Sequence, residues 1–371
     1  MQPAADSAFL NDVRQFLSNA LTSDLRAAGR NSVGVHSDIG ACRVWHRRLF
    51  ERGWIAPAWP VAYGGAGWSP VQRALFEREC AANDAPILFA GGLRSLGPLL
   101  IEMGTPAQRL RYLPAILNGH ELWCQGFSET CAGSDLAALM MRAERNGDHY
   151  VVNGSKIWTT GADIADRMFC LVRTTKGPKP QEGITFLLVD MALPGITVRP
   201  IQTLSGEAEF NEVHFAGVRV PVSDRVGEED RGWVVAKTLM RVARSNNTTS
   251  GLLRRVLRRA QATVIAPAHA SEQVRLAALS CRLDALEAME LALLTRAGAN
   301  GISDVQASTL KIAATELHQD IATLMLDAAG DAALPTHVFE SAKYFATRAA
   351  SIYSGTNEIH RNLIAHRGLG L

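Results

Sequence analysis

Three short stretches bring together residue types able to hold a flat or anionic ligand. In Cys124-Gln125-Gly126-Phe127-Ser128-Glu129-Thr130-Cys131-Ala132-Gly133-Ser134-Asp135, small residues and hydroxyls cluster at a helix-to-strand junction. Such a loop can set backbone N–H groups and serine hydroxyls against a planar or anionic group; an ordinary surface turn explains it as well. In Lys156-Ile157-Trp158-Thr159-Thr160-Gly161-Ala162 a tryptophan precedes two threonines. At a strand end these offer an aromatic face and two hydroxyl donors to one flat polar ring, while a core tryptophan among β-branched neighbours has equal standing. In Tyr353-Ser354-Gly355-Thr356-Asn357-Glu358-Ile359, Gly355 permits close backbone approach and Thr356 and Asn357 suit a helix N-cap. A plain helix start is the alternative there. The cysteines, Cys42, Cys80, Cys124, Cys131, Cys170 and Cys281, form no C-x-x-C pair and stand near no histidines at zinc spacing. No metal site is expected, and the thiols read as reduced core residues.

The elements that must position these stretches follow a simple order. Up to about residue 118 the apolar residues recur at helical spacing, as in Phe9, Val13, Phe16 and Leu17 or Trp45, Leu49 and Phe50. The stretch from Trp59 to Gly67 interrupts them as a loop, because proline and paired glycines break helices. From 119 to 226 the texture is β-rich. Tyr150-Val151-Val152 leads to Asn153-Gly154, a tight-turn signal that predicts a hairpin immediately before Trp158. Strands are expected over Met168–Val172, Ile184–Val189, Ile196–Val198 and Val213–Val220. From 227 onward helical spacing returns. Leu239, Val242, Leu252, Leu253, Val256 and Leu257 can form one stripe; Leu276, Leu279, Leu283, Leu286 and Met289 a second; Leu310, Ile312, Leu317, Ile321, Leu324 and Leu326 a third. Breaks fall at Gly298–Gly301 and Leu334-Pro335. The expectation is an α+β chain in three domains: all-α over 1–118, antiparallel β over 119–226, and a four-helix bundle over 227–371.

Hydrophobic residues make up 47% of the 371 and charged residues 20%, the balance of a soluble globular protein, and the formal net charge is +2. That near-neutral balance argues against nucleic acid or an anionic membrane as partner. The start, MQPAADSAFLNDVRQFL, lacks the basic and apolar blocks of a signal peptide, and no apolar run reaches a membrane span. A cytoplasmic location is expected.

Taken in order, the motifs resemble the acyl-CoA dehydrogenase family. The α–β–α order, the G-F-S-E-x-x-A-G-S-D loop, the W-T-T-G-A segment, Y-x-G-T-N-E-I near the end, Pro57 to Trp68 (P-x-W-P-x-x-Y-G-G-x-G-W) and Val218-Arg219-Val220-Pro221 all match. Phe169-Cys170-Leu171-Val172-Arg173-Thr174, Gly195 to Thr203 and Leu310 to Leu317 are similar to the bacterial branch that includes pimeloyl-CoA dehydrogenases. The resemblance implies oxidation of an acyl-CoA thioester to its 2,3-enoyl form, with FAD as hydride acceptor and a carboxylate taking the C2 proton. It places Phe127, Ser128, Gly133 and Ser134 against the flavin, Ser134 also near CoA, and Trp158, Thr159 and Thr160 around the isoalloxazine. Thr356 and Glu358 would touch the far end of FAD, and Ser354 and Gly355 the substrate. It also implies an electron acceptor such as an electron-transfer flavoprotein, and an oligomer: a homodimer or tetramer, or a heteromer with a paralogous subunit.

The chain departs from the family pattern at several positions. Thr130-Cys131 replaces the usual Pro-Gly. No R-x-x-F-G segment supplies an arginine to a partner's FAD, Arg275 being the nearest candidate. One branch carries its base after the Tyr of Y-x-G-T, where this chain has Ser354. The pimeloyl-like branch carries it in an N-E-R-type sequence on the first C-terminal helix, where Arg244 is present but Ala243 holds the Glu position. Neither Ser354 nor Ala243 accepts a proton at neutral pH. Several explanations stay open. Alanine could have been introduced to trap substrate, or this could be a natural subunit paired with an active chain. The chemistry could be that of an oxygen-using relative, or the chain could bind acyl-CoA or FAD without catalysis.

Overall fold

The computed structural model describes residues 3–245, 250–264, 270–297, 302–333 and 338–371. The N-terminal part is helical: α1 (Pro3–Ala20), α2 (Ser23–Arg30), α3 (Ile39–Glu51), α4 (Pro70–Ala82), α5 (Gly97–Met103) and α6 (Pro106–Leu117). The sequence marks several starts plainly. Ser69 and Gln72 form a capping box ahead of α4, as Thr105 and Gln108 do ahead of α6, each with proline in the first turn. Val13, Leu17, Trp45 and Leu49 turn inward as their spacing predicts, but Phe50 is 41% exposed, one step round α3 from the buried face. The Pro57–Gly67 loop is anchored by Trp59, whose ring is buried and whose indole N–H donates to Leu93 O at 2.8 Å. Gly97 makes that possible, since a Cβ there would lie 1.8 Å from the Trp59 ring. Ahead of α5 the chain makes a π-helical turn over Gly92–Leu96.

The strands are β1 (Trp123–Gly126), β2 (Arg142–Asn146), β3 (His149–Thr160), β4 (Arg167–Arg173), β5 (Ile184–Asp190), β6 (Ile196–Ile201), β7 (Phe210–Pro221) and β8 (Arg225–Val226). They form one sheet in the order β6-β7-β3-β2-β4-β5-β8, with β1 beside β4. Most pairings are antiparallel, but β1 runs parallel to β4, as β2 does at a single pair, Arg142 with Arg173. The hairpin expected at Asn153-Gly154 does not form. β3 continues through both residues, and the register against β7 shifts between Val152 and Gly154. Asn153 Oδ1 instead accepts from Gly217 N at 2.8 Å, and Gly154 takes φ +137°. The local turn preference is absorbed as a β-bulge because the long ladder to β7 outweighs it. One face of the sheet, carrying Phe169, Leu171, Phe186 and Leu188, packs into the same core as Leu96, Leu99 and Ile116 of the N-terminal part. The other face has its own core around Met168, Cys170, Leu187 and Val213.

Helices return as α7 (Gly232–Ser245), α8 (Ser250–Val264), α9 (Ala270–Ala297), α10 (Asp304–Ala329), α11 (Phe339–Arg348) and α12 (Asn357–Leu363). The stripe expected from Leu239 to Leu257 is divided between α7, which packs on the sheet core, and α8, which joins α9 and α10 around Leu253, Leu283 and Leu317. In α10, Leu310, Leu317, Ile321 and Leu324 are buried within the chain. The breaks anticipated at Gly298–Gly301 and Leu334-Pro335 lie outside the described residues. Among the described residues no helix is long and apolar enough to cross a membrane.

Candidate active site

Two segments of chain meet at one end of the sheet. β1 closes on Gly126, where a Cβ would lie 2.3 Å from Met168 Sδ. The chain then leaves the sheet, so the site loop follows a strand rather than bridging helix to strand as its sequence suggested. The Phe127 ring turns into the core, edge-on to Phe169 and Phe186. Only its backbone can face a ligand, and its carbonyl is already taken. Ser128 O accepts from Ile157 N at 2.9 Å, which docks the loop on β3. Glu129, 8% exposed, accepts from Met140 N at 2.6 Å, Met141 N at 3.0 Å and Lys156 Nζ at 2.7 Å. Lys156 is fully buried and also donates to Phe127 O at 3.2 Å. Burial lowers the Lys156 pKa from its usual value, and the Glu129 charge opposes that fall. One buried carboxylate thus ties both ends of the loop to the strand behind it. Gly133 and Ser134 remain exposed, and a Cβ on Gly133 would meet open space.

The second segment is the end of β3. Its register against β7 shifts between Lys156 and Thr159, and within that irregularity Trp158 takes φ +59°. A non-glycine residue in the left-handed region costs on the order of 1 kcal/mol. The conformation leaves the indole 57% exposed, with Phe210 at 6.3 Å between ring centres. Thr159 is 1% exposed and its hydroxyl oxygen has no hydrogen-bond partner among the described residues, while its carbonyl accepts from Asn211 Nδ2 at 3.2 Å. Thr160 is half-buried, and Gly161 N donates to Glu209 O at 2.8 Å.

The third stretch caps α12. Ser354 stands at φ +56° and Gly355 at +89°. Thr356 Oγ1 accepts from Ile359 N at 3.2 Å, the N-cap its sequence predicts. The turn is braced from α10 and from its own helix. Lys311 Nζ donates to Gly355 O at 2.8 Å and to Asn357 Oδ1 at 2.7 Å, and the buried His360 ring bonds Ser354 O at 3.1 Å and Ser308 Oγ at 2.9 Å. Burial pulls Lys311 down to about 8. Surrounding protein, and secondarily the Glu209 charge, pushes the Tyr353 phenol up to about 12. The residue nonetheless keeps 39% of its surface exposed. Glu358 is exposed, with Arg361 at 3.7 Å.

Ser128 and Ile157 directly join the first two segments. Glu209 relates the second to the third, since its carbonyl holds Gly161 and its charge reaches Tyr353. Ala243 and Arg244 lie in the last turn of α7, with side chains outside the described residues. Sequence reasoning missed Glu129, Lys156, Glu209, Asn211 and His360 as parts of the site. Lys156 did carry a signal: it occupies an inward position in a strand whose other inward residues include Tyr150 and Val152. An exposed indole in a strained backbone, a buried hydroxyl with no protein partner and an open loop beside them fit a flat, polar, ring-shaped cofactor. Among the described residues no cluster of His, Cys, Asp or Glu could hold a metal ion.

Models of the acyl-CoA dehydrogenase N-terminal, middle and C-terminal domains match residues 3–120, 124–218 and 230–369. The chain is 36% identical over 373 residues to acyl-CoA dehydrogenase IpdE1 of Mycobacterium tuberculosis, covering 98% of this chain and 97% of that one. Among solved structures, the Tcur3481-Tcur3483 steroid ACAD aligns with a TM-score of 0.86 at 28% identity, covering 100% of this chain and 98% of that one. The ChsE4-ChsE5 complex from Mycobacterium tuberculosis aligns with 0.83, also at 28% identity, covering 100% and 98%.

Proposed function

This chain belongs to the acyl-CoA dehydrogenase family, and from that premise we propose that it binds FAD and an acyl-CoA thioester at this site, with the proton-accepting position held by Ala243. Homologues and structures of the family bind FAD. The observation that carries the reading is the Trp158 indole, exposed at φ +59° beside the loop that Glu129 and Lys156 hold open. Ser128, Gly133 and Ser134, through backbone and hydroxyls, and Phe127 through its backbone, would line one side of the flavin. Trp158, Thr159 and Thr160 would flank its ring system, and Thr356 and Glu358 its far end. The chemistry supplied by FAD, when bound, is acceptance of a hydride from acyl C3. Ser134, Ser354 and Gly355 would hold the thioester end, with Arg244 beside Ala243. No group at Ala243 or Ser354 takes the C2 proton, so catalysis by this chain alone is slow.

A second reading has its own support. Two similar structures, the Tcur3481-Tcur3483 steroid ACAD and the ChsE4-ChsE5 complex, each join two proteins by name, which favours a heteromer in which a paralogous chain provides the carboxylate. The likeness to a steroid ACAD supports a bulky apolar acyl group as substrate. The stretches from Phe169, Gly195 and Leu310 support a place near the pimeloyl-CoA dehydrogenase-like branch. An electron-transfer flavoprotein is the acceptor class this reading implies.

The test is an anaerobic titration of the purified chain with a panel of acyl-CoA esters, following the flavin spectrum. The protein should be yellow and should bind ester, yet bleach on the order of 100- to 10,000-fold more slowly than Ala243→Glu or than the complex with a carboxylate-bearing paralogue. A colourless chain that takes up no FAD, alone or with the paralogue, refutes the reading. Rapid bleaching of the unaltered chain places the base elsewhere.

A further inference from the structure

A cleft of about 270 Å³ lies where α2 of the N-terminal part meets α8 and α11 of the C-terminal part. Five cations line it, Arg30, Arg255, Arg258, Arg259 and Lys343, together with one carboxylate, Asp84. Gly29 lets α2 close on this seam, since a Cβ there would lie 2.0 Å from Asp84 O. Ile87, Val256 and Phe339 supply apolar wall, beside which charge is screened less than in open water.

The bonds already made by these cations leave donors for a ligand. Arg30 Nη1 lies 3.2 Å from Asp84 Oδ2. Arg258 Nη2 donates to Ala81 O at 2.8 Å and lies 3.4 Å from Asp84 Oδ1. Arg255 Nη1 donates to Ala85 O at 2.8 Å and to Gly29 O at 3.3 Å. In all three, Nε and the other terminal nitrogen bond nothing among the described residues. Arg259 has Glu340 at 3.4 Å and lies over the Phe339 ring, 3.6 Å from its centre. Lys343, 2% exposed, donates only to backbone carbonyls, Val33 O at 2.8 Å and Ser32 O at 3.4 Å. Carbonyls such as Gly29 O and Ala81 O, in the last turns of α2 and α4, aim a guanidinium without cancelling its full charge. Three carboxylates are set against the five cations: Asp84, Glu340 and, acting on Lys343, Glu209. Two positive charges therefore stay unbalanced among the described residues. Burial lowers Arg255 and brings Lys343 to about 8, so both stand where an anion would stabilise them.

We propose that this cleft is a second ligand site, separate from the site for FAD and acyl-CoA, and that it takes a diphosphate group, free or carried by a nucleotide. A guanidinium fork matches phosphate oxygens in parallel hydrogen bonds, and an ammonium serves as a point charge beside them. Two adjoining phosphoryl groups bring the two negative charges that the seam lacks. The volume is well above the roughly 150 Å³ that holds a benzene molecule, which gives both groups room.

The test is calorimetric titration of the protein with magnesium-free inorganic diphosphate at fixed ionic strength, with and without excess FAD. One diphosphate per chain should bind, and orthophosphate at least about tenfold more weakly. Lys343→Met and Arg258→Gln should each weaken diphosphate about tenfold or more, whereas Arg43→Gln, exposed on α3, should change it less than about twofold. Arg258, whose side chain is 38% exposed, decides the matter if Lys343→Met does not fold. ADP is the second probe: tighter binding than diphosphate assigns a nucleotide, weaker binding assigns the free diphosphate, and either supports the site. No saturable binding of diphosphate or ADP overturns the inference, as does an affinity unchanged in the folded variants or equally reduced in Arg43→Gln. Binding that FAD abolishes also overturns it, because the cleft would then hold the diphosphate of FAD itself.

Discussion

Replacing Lys156 by methionine removes a fully buried ammonium and leaves the Glu129 carboxylate behind it, itself only 8% exposed. Taking one member from a buried ion pair typically costs about 3–5 kcal/mol, because the remaining charge is left uncompensated. Two backbone N–H groups, of Met140 at 2.6 Å and Met141 at 3.0 Å, still point at the carboxylate. They retain part of its stabilisation and place the expected loss near the lower end, about 3 kcal/mol. The double variant Lys156→Met/Glu129→Gln restores neutrality and keeps a carbonyl oxygen for those N–H groups, so it should regain about 1–2 kcal/mol over the single variant. Glu129→Gln alone gives a pH signature. Its buried ammonium has lost its main counter-charge, so the Lys156 pKa, already lowered by burial, falls further. Between that value and the usual 10.5 the unfolded chain holds a proton that the folded chain lacks. Stability relative to the unaltered protein therefore rises with pH only up to the lowered Lys156 value of the unaltered protein, and is poorest below the variant's own value. Urea unfolding followed by tryptophan fluorescence, repeated across pH, reads all three variants. A loss under about 1 kcal/mol for Lys156→Met, with the double variant no better, would show that the pair does not hold the loop as described.

Thr356→Ala should cost about 1 kcal/mol and Thr356→Ser much less, because the hydroxyl caps Ile359 N at 3.2 Å; equal losses in thermal unfolding would contradict the cap. Lys343 is 2% exposed, and burial, with Arg255 acting in the same direction, brings it to about 8 from 10.5. Below about pH 8 its buried charge carries the full penalty, up to about 3 kcal/mol. The stability of the unaltered protein relative to Lys343→Met should therefore rise between pH 8 and 10.5, and a flat difference would refute the shift. Cys131 and Cys281 are exposed, whereas Cys124 and Cys170 are buried with thiols pushed well up. A thiol reagent should label the first two in the folded protein and the other two only on unfolding, with mapped adducts as the check.

The helix–sheet–helix order was legible because the apolar period itself changes along the chain. Met168–Val172 became β4 with one residue added at each end, since a continuous apolar run between turn residues has few other readings. Asn153-Gly154 misled because a dipeptide reports a local preference, while the ladder to β7 is set by residues some 60 positions away. The three site stretches were visible from composition alone. The ion pair beneath two of them was not. Glu129 and Lys156 stand 27 residues apart, and nothing local marks them as partners until the loop after β1 is laid against β3. Glu209 escaped for a similar reason: its role comes from a backbone carbonyl and a long-range charge, neither of which has a motif.

The core shared by the N-terminal helices, one face of the sheet and α7 has a consequence for how the molecule comes apart. Leu96, Leu99, Phe169, Phe186, Val235 and Leu239 belong to one continuous cluster, whereas Leu253, Leu283 and Leu317 belong to another. The units that open together in native-state hydrogen exchange need not follow the sequence blocks. The helices before β1 and the middle strands should lose amide protection as one body, with α7 in their company, and α8 to α10 as a second. An excised β-segment would bare an entire apolar sheet face and aggregate, so a stable fragment has to be cut between α7 and α8.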